Sequence, residues 1–229
     1  MAVTHIGKIL GISFVLFILL LNSDSASAVI FPGKDWQTAT PESQGMSSAK
    51  LQSVPSGLDL IVIRNGYQVF KRGNISSSQG SWASAVRSML TTAYGIAIKR
   101  GDIPGGLNIL EKSVDSLPGS SYGIDGDLKH ALSYTSCTPG DIQPGTWWSY
   151  SCNWEEMYEM FKDITGRTAD DYNNKYLYPA LGKSGTKFEE QPRLQNPPDQ
   201  YTSRLTANVS DAARWGYLWL NNGNWNGQQ

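Results

Sequence analysis

Residues 81–90 read Ser81-Trp82-Ala83-Ser84-Ala85-Val86-Arg87-Ser88-Met89-Leu90, and Tyr94-Gly95-Ile96-Ala97-Ile98 follows shortly after. Val86, Leu90, Tyr94, Ala97 and Ile98 recur at steps of 4, 4, 3 and 1, which predicts a helix over 83–99 with one apolar face. Gly101 is placed to stop it. Ser84 and Arg87 then stand three residues apart at the head of the helix and share a face. Unpaired N–H groups of the first turn add positive potential there. A serine hydroxyl is a weak nucleophile until a base takes its proton, a task that a lysine of depressed pKa or a nearby phenolate can perform. Arg87 cannot accept that proton, because a guanidinium stays charged in proteins.

Upstream, 58–64 is apolar and β-branched, Asn65-Gly66 signals a type I′ turn, and 67–71 alternates. This predicts a β-hairpin, preceded by a short helix starting at Ser47 in a Pro-, Gly- and Ser-rich lead-in over 29–57. Downstream, further helices are expected around 127–134, from Asn153 to Gly166, over 168–176 and over 210–221. The third of these five helices, counting from 83–99, carries the stripe Trp154, Met157, Phe161 and Ile164, and the last turns Ala213, Tyr217 and Leu220 to one side. A two-stranded hairpin is marginal in water without more strands or a covering helix. No further strand stands out in the remaining sequence, and there is no internal repeat.

Composition narrows the chemistry. The 229 residues are 40% hydrophobic and 17% charged with net charge −1, which suits a globular protein and gives no basic surface for nucleic acid. Residues 1–28 read as an export signal: Lys8 in the n-region, an apolar run over 9–21 too short to span a bilayer, and Ala26-Ser27-Ala28 before the cleavage point. The expected product is a secreted or periplasmic domain over 29–229 with no membrane span after cleavage. It keeps one of the two histidines, His130, so a multi-histidine metal site or relay is excluded. No metal or other cofactor is implied. His130 itself reads as a helix residue without a catalytic task. In an oxidising compartment Cys137 and Cys152 are candidates for a disulfide, worth about 3 kcal/mol for a loop of about 15 residues. Two free buried thiols are the alternative. Trp147, Trp148, Trp154 and Trp215 suit either an aromatic cleft or ordinary packing. Asn74-Ile75-Ser76 and Asn208-Val209-Ser210 fit the glycosylation sequon.

The 81–90 segment resembles the Ser-Ala-Thr-Lys-Ser helix of the serine β-lactamase and penicillin-binding-protein superfamily, in its class C and esterase-like branch. Other segments agree in order. Thr40-Pro41-Glu42-Ser43-Gln44-Gly45-Met46 resembles the family's lead-in, and Ile63-Arg64-Asn65-Gly66-Tyr67 its first hairpin. Residues 128–136 resemble Leu-Leu-Ser-His-Thr-Ser-Gly, with Tyr134 and Cys137 where His and Gly are usual. Pro144-Gly145-Thr146-Trp147-Trp148-Ser149-Tyr150-Ser151 resembles the segment carrying the second motif. Asp211-Ala212-Ala213-Arg214-Trp215-Gly216 and residues 222–228 resemble a later helix and its Asn-Gly-x-Trp-x-Gly tail.

The resemblance implies an α+β, β-lactamase/transpeptidase-like fold: the N-terminal hairpin of an antiparallel sheet plus a helical subdomain, with the C-terminal sheet strands missing. It makes Ser84 the nucleophile, with its backbone N–H as an oxyanion donor, and Tyr150 the second-motif base or proton relay. It also marks two departures. Arg87 stands at the lysine position, where its charge would favour a Tyr150 phenolate, and Cys152 stands where Asn is common. A third-motif strand, Lys-Thr-Gly or His-x-Gly, would be expected beyond Gln229. The implied substrate is a small ester, amide or β-lactam, or a peptidoglycan-like ligand. A non-catalytic binding module that keeps the cleft, and a fragment of a longer hydrolase, are the alternative expectations.

Overall fold

Asn65 and Gly66 both adopt positive φ, 53° and 83°, so the turn between the first two strands has the twist that a tight hairpin needs. Strands β1 (Leu60–Arg64) and β2 (Tyr67–Arg72) pair antiparallel in the register Arg64↔Tyr67 to Leu60↔Arg72, with an irregularity between Val62 and Ile63. The first strand begins two residues later than its apolar run, and Leu58 lies exposed outside it. A single parallel bridge from Thr38 to Gln68 extends this sheet. The computed structural model describes residues 29–77, 79–82, 84–109, 126–136, 143–150, 156–182, 187–192 and 201–229, and those from Phe31 onward belong to one compact unit.

Helix α1 (Ser48–Gln52) starts where expected, its N-cap Ser47 hydroxyl accepting the Lys50 N–H at 3.3 Å. Helix α2 (Ala85–Arg100) ends at Gly101 with φ 80°, a left-handed C-cap that glycine adopts cheaply. It buries Val86, Met89, Leu90, Ala93, Tyr94 and Ala97, all but the partly buried Ile98 of the predicted face and two more besides. Three short helices and one longer follow: α3 (Leu128–Leu132), α4 (Glu156–Thr165), α5 (Ala169–Tyr176) and α6 (Tyr178–Leu181). The N-cap of α5 is Thr168, whose hydroxyl accepts the Asp171 N–H at 3.1 Å.

The core lies where α2, α4 and α5 meet. Tyr94 meets Phe161 edge to face at 4.9 Å, and Phe161 meets Tyr172 in the same way at 5.3 Å. The Tyr94 hydroxyl donates to the Met157 carbonyl at 2.7 Å, so its polar end is satisfied inside the core. Met157 and Phe161 are fully buried and Ile164 packs against the same cluster, as the stripe predicts. Trp154, Asn153 and the cysteine pair Cys137 and Cys152 lie outside the described residues.

Two features correct the expectations. First, the chain holds strands that its local pattern does not announce. Strands β3 (Gln79–Ser81), β4 (Lys187–Pro192) and β5 (Tyr201–Ala207) form a second antiparallel sheet in the order β3-β5-β4. Their pairing partners are remote in sequence, Gln79 with Ala207 and Lys187 with Thr206, so tertiary pairing rather than propensity fixes them.

Second, helix α7 (Val209–Leu220) is turned differently from its predicted face. Tyr217 is buried as predicted, but Leu220 is 74% exposed, while Asp211, Arg214 and Leu218 are buried. Nine residues separate Asp211 from Leu220, and at about 100° per residue that places them on opposite sides. Arg214 occupies the inner face because its guanidinium donates to three carbonyls, those of Leu181 at 2.9 Å, Gly33 at 2.9 Å and Lys34 at 2.6 Å.

Candidate active site

Ser84 sits at a strand-to-helix junction. It is the N-cap of α2, with φ −66° and ψ −7°, and it is exposed. Upstream, β3 is held by β5, and the indole N–H of Trp82 donates to the Ala207 carbonyl at 3.0 Å. Downstream, the Ser84 carbonyl accepts the Arg87 N–H at 3.1 Å and so begins the helix. The hydroxyl is therefore carried by a residue whose backbone is fixed on both sides, at the positive end of a 16-residue helix.

Arg87, one turn further on, reaches the second predicted segment. Its guanidinium donates to the Tyr150 carbonyl and lies over the Tyr150 ring, 4.1 Å from the centroid. That is within the range of a cation–π contact. The same guanidinium lies 5.4 Å from the Tyr134 ring centroid, and the two tyrosine rings stack at 6.5 Å and 17°. Burial pushes the Tyr134 phenol above its ordinary pKa, while the charge of Arg87 and a hydrogen bond from it pull the other way. Trp148 adds a tilted contact, 6.2 Å from Tyr150, and Trp147, Trp148 and Tyr150 are all exposed. The aromatic surface beside Arg87 is thus open to a ligand. Trp215, by contrast, packs on the core and donates to the Thr92 hydroxyl at 3.3 Å.

The backbone explains how Tyr150 comes to this place. The Thr135 carbonyl accepts the Gly145 N–H and the Tyr134 carbonyl accepts the Ser149 N–H, both at 2.9 Å. His130 supports the same corner. Its Nδ1 accepts the Asp127 N–H at 3.1 Å at the start of α3, and its ring lies against Gly145. A Cβ on Gly145 would stand 3.3 Å from that ring, and φ there is +93°, so glycine is required. The one histidine of the described residues has a structural task at this corner.

Of the residues singled out in the sequence, Arg87 and Tyr150 are in contact and Ser84 is one helical turn from Arg87. Cys152, at the second-motif position, is outside the described residues. Tyr134, whose ring also meets Arg87 and Tyr150, is not among the candidate site residues expected from the sequence. No glycine marks its turn, and its one signal was that a tyrosine replaced the usual histidine.

No protein-family model matches the chain, and no curated protein matches it in sequence. Solved structures do match. A provisionally assigned β-lactamase from Bacteroides dorei superposes with TM-score 0.54 at 16% identity, covering 71% of this chain and 57% of that one. A provisionally assigned 6-aminohexanoate-dimer hydrolase from Bacillus anthracis does so with TM-score 0.51 at 18% identity, covering 74% and 55%. The chain has the β-lactamase-like fold. It spans little more than half the length of these two structures. Within this β-lactamase-like fold, the described residues comprise the hairpin, the helical region and the small sheet that anchors Ser84.

Proposed function

We propose that the chain is a serine hydrolase-like protein that transfers an acyl group to water from a small ester, amide or β-lactam through Ser84. The observation that carries this reading is the placement of Ser84 at the head of α2 with Arg87 one turn on, laid against Tyr150. Hydrolases among the structural neighbours support the reaction class.

In this reading the Ser84 hydroxyl attacks the carbonyl carbon, and its proton passes through the Tyr150 phenol to the leaving group. The Ser84 N–H donates to the developing oxyanion. Water then releases the acyl group by the reverse relay. Arg87 supplies fixed positive charge rather than a base, because it does not deprotonate. Residues 1–28 would direct the protein to a secreted or periplasmic location.

The replacement of a titratable lysine by Arg87 favours a second reading, a binding module that keeps the cleft without turnover. A fluorophosphonate probe and a labelled penicillin separate the two. The hydrolase reading expects a covalent adduct on the peptide containing Ser84, absent in Ser84→Ala. Reversible penicillin binding with no adduct from either probe would establish the binding module instead.

A further inference from the structure

Tyr134 adopts φ 60°, in the left-handed region where glycine and asparagine are at ease and a bulky aromatic residue is uncommon. Such a conformation persists only where the surroundings fix it. Here they do so at three points. The Tyr134 N–H donates to the Ala131 carbonyl at 3.0 Å, closing the end of α3. Its carbonyl takes the Ser149 N–H at 2.9 Å, one residue before Tyr150. Its ring, half-buried, stacks on Tyr150 and lies beside the Arg87 guanidinium. A glycine would serve the turn alone at lower cost. The ring therefore has a use that the turn does not explain.

We infer that Tyr134 is a positioning residue that holds Arg87 and Tyr150 against each other beside Ser84. The left-handed turn fixes where the Ser149–Tyr150 stretch is held against the end of α3, and the ring fixes the plane of Tyr150 and the side of it that Arg87 covers. Among the described residues, the ring contacts left to Tyr150 without it are those of Trp148 and the Arg87 guanidinium, on an exposed stretch of chain. The phenol, kept neutral by burial, is suited to accept a hydrogen bond from the guanidinium rather than to compete with it for charge. Tyr134 acts through its neighbours and needs no contact with substrate. As a catalytic role this rests on the acyl-transfer reading; as a structural role it does not.

Two variants separate the turn from the ring. Tyr134→Asn removes the ring but suits the left-handed backbone, and Tyr134→Phe keeps the ring. With fluorophosphonate as the probe, Tyr134→Asn is expected to lower kinact at Ser84 at least about tenfold with KI changed less than about twofold, and Tyr134→Phe to stay within about threefold of wild type. A wild-type kinact in Tyr134→Asn would overturn the inference. Fluorotyrosine placed at position 150 gives a readout that does not require Ser84 to react. Its fluorine resonance is expected to be single and narrow in wild type and Tyr134→Phe, and broadened or split in Tyr134→Asn. An unchanged resonance in Tyr134→Asn would sink the positioning role whether or not Ser84 is labelled. If no protein labels but the resonance responds, the positioning stands and the acyl-transfer reading falls. Tyr134→Gly, unstrained at this φ, takes the place of Tyr134→Asn should that variant not fold.

Discussion

Arg87 is bound to two aromatic rings and one carbonyl, so replacing it changes packing as well as acid–base chemistry. The magnitudes decide which change dominates in Arg87→Lys. Tyr150 is 49% exposed, and cation–π contacts at exposed sites are worth roughly 0.5 kcal/mol each, so losing the flat guanidinium from both rings costs about 1 kcal/mol. A lysine one turn from Ser84 can lose its proton, and a placed general base contributes typically about 10²–10⁴ in rate, roughly 3–5 kcal/mol. The base should win. Arg87→Lys is expected to raise the rate of Ser84 labelling by fluorophosphonate at least about tenfold, with the gain growing toward alkaline pH as the amine deprotonates. A rate equal to or below that of wild type across the pH range would mean that the clamp on the tyrosines matters more than the missing base.

Among the elements, α7 depends on a charge in its buried face. Arg214 is 2% exposed, and its three acceptor carbonyls come from the end of α6 and from residues 33 and 34. One guanidinium thus joins three separate parts of the chain, and it satisfies a helix-terminal carbonyl that has no partner within its own helix. Arg214→Ala leaves the buried Leu181 carbonyl unpaired, gives up the part-buried bonds to Gly33 and Lys34 and opens a cavity, an expected loss of about 2–5 kcal/mol in urea unfolding. Arg214→Lys should recover only part of this, since a single ammonium cannot reproduce the fork. A loss under about 1 kcal/mol in Arg214→Ala would show that water replaces the side chain without penalty. Arg214 also shows where the sequence was hard to read. Apolar periodicity treats an arginine as surface, and so it assigned Leu220 to the core in place of Arg214 and Leu218. The long helices and the Asn65-Gly66 hairpin were legible because a local period or turn dictates them. Strand β4, Lys-Phe-Glu-Glu-Gln-Pro, was not, since it carries charges and a proline and is fixed by β5. That Arg87, one turn from Ser84, meets the Tyr150 segment was legible from the order of the motifs. The contact of Tyr134 with both was hidden because it depends on a backbone angle that its residue type does not suggest.

At the scale of the molecule, the two sheets have different supports. The β3-β5-β4 sheet is three-stranded and carries the junction to Ser84, whereas β1–β2 gains only the single bridge from Thr38 among the described residues. A hairpin of this size needs cover to be stable in water, and α7 packs against β1 to give it. That helix is held in turn by an aromatic cluster. Phe31 meets Tyr217 at 5.6 Å and Trp225 at 5.2 Å, and Trp36 meets Tyr217 at 5.6 Å, all edge to face. Trp225, carried on the turn that follows α7 and buried, closes this cluster from the C-terminal side. Trp225→Ala is therefore expected to cost about 3–5 kcal/mol, the range for deleting a buried aromatic side chain. The loss should also spread. Amide exchange should rise in β1 and β2 as well as in α7, while the amides of α2 near Tyr94 and Phe161 stay protected relative to the new global stability, because that part of the core has its own edge-to-face packing. Hydrogen exchange read by mass spectrometry distinguishes the cases. If α7 loosens and the hairpin amides keep their protection, the hairpin does not depend on the helix, and some other element must cover it.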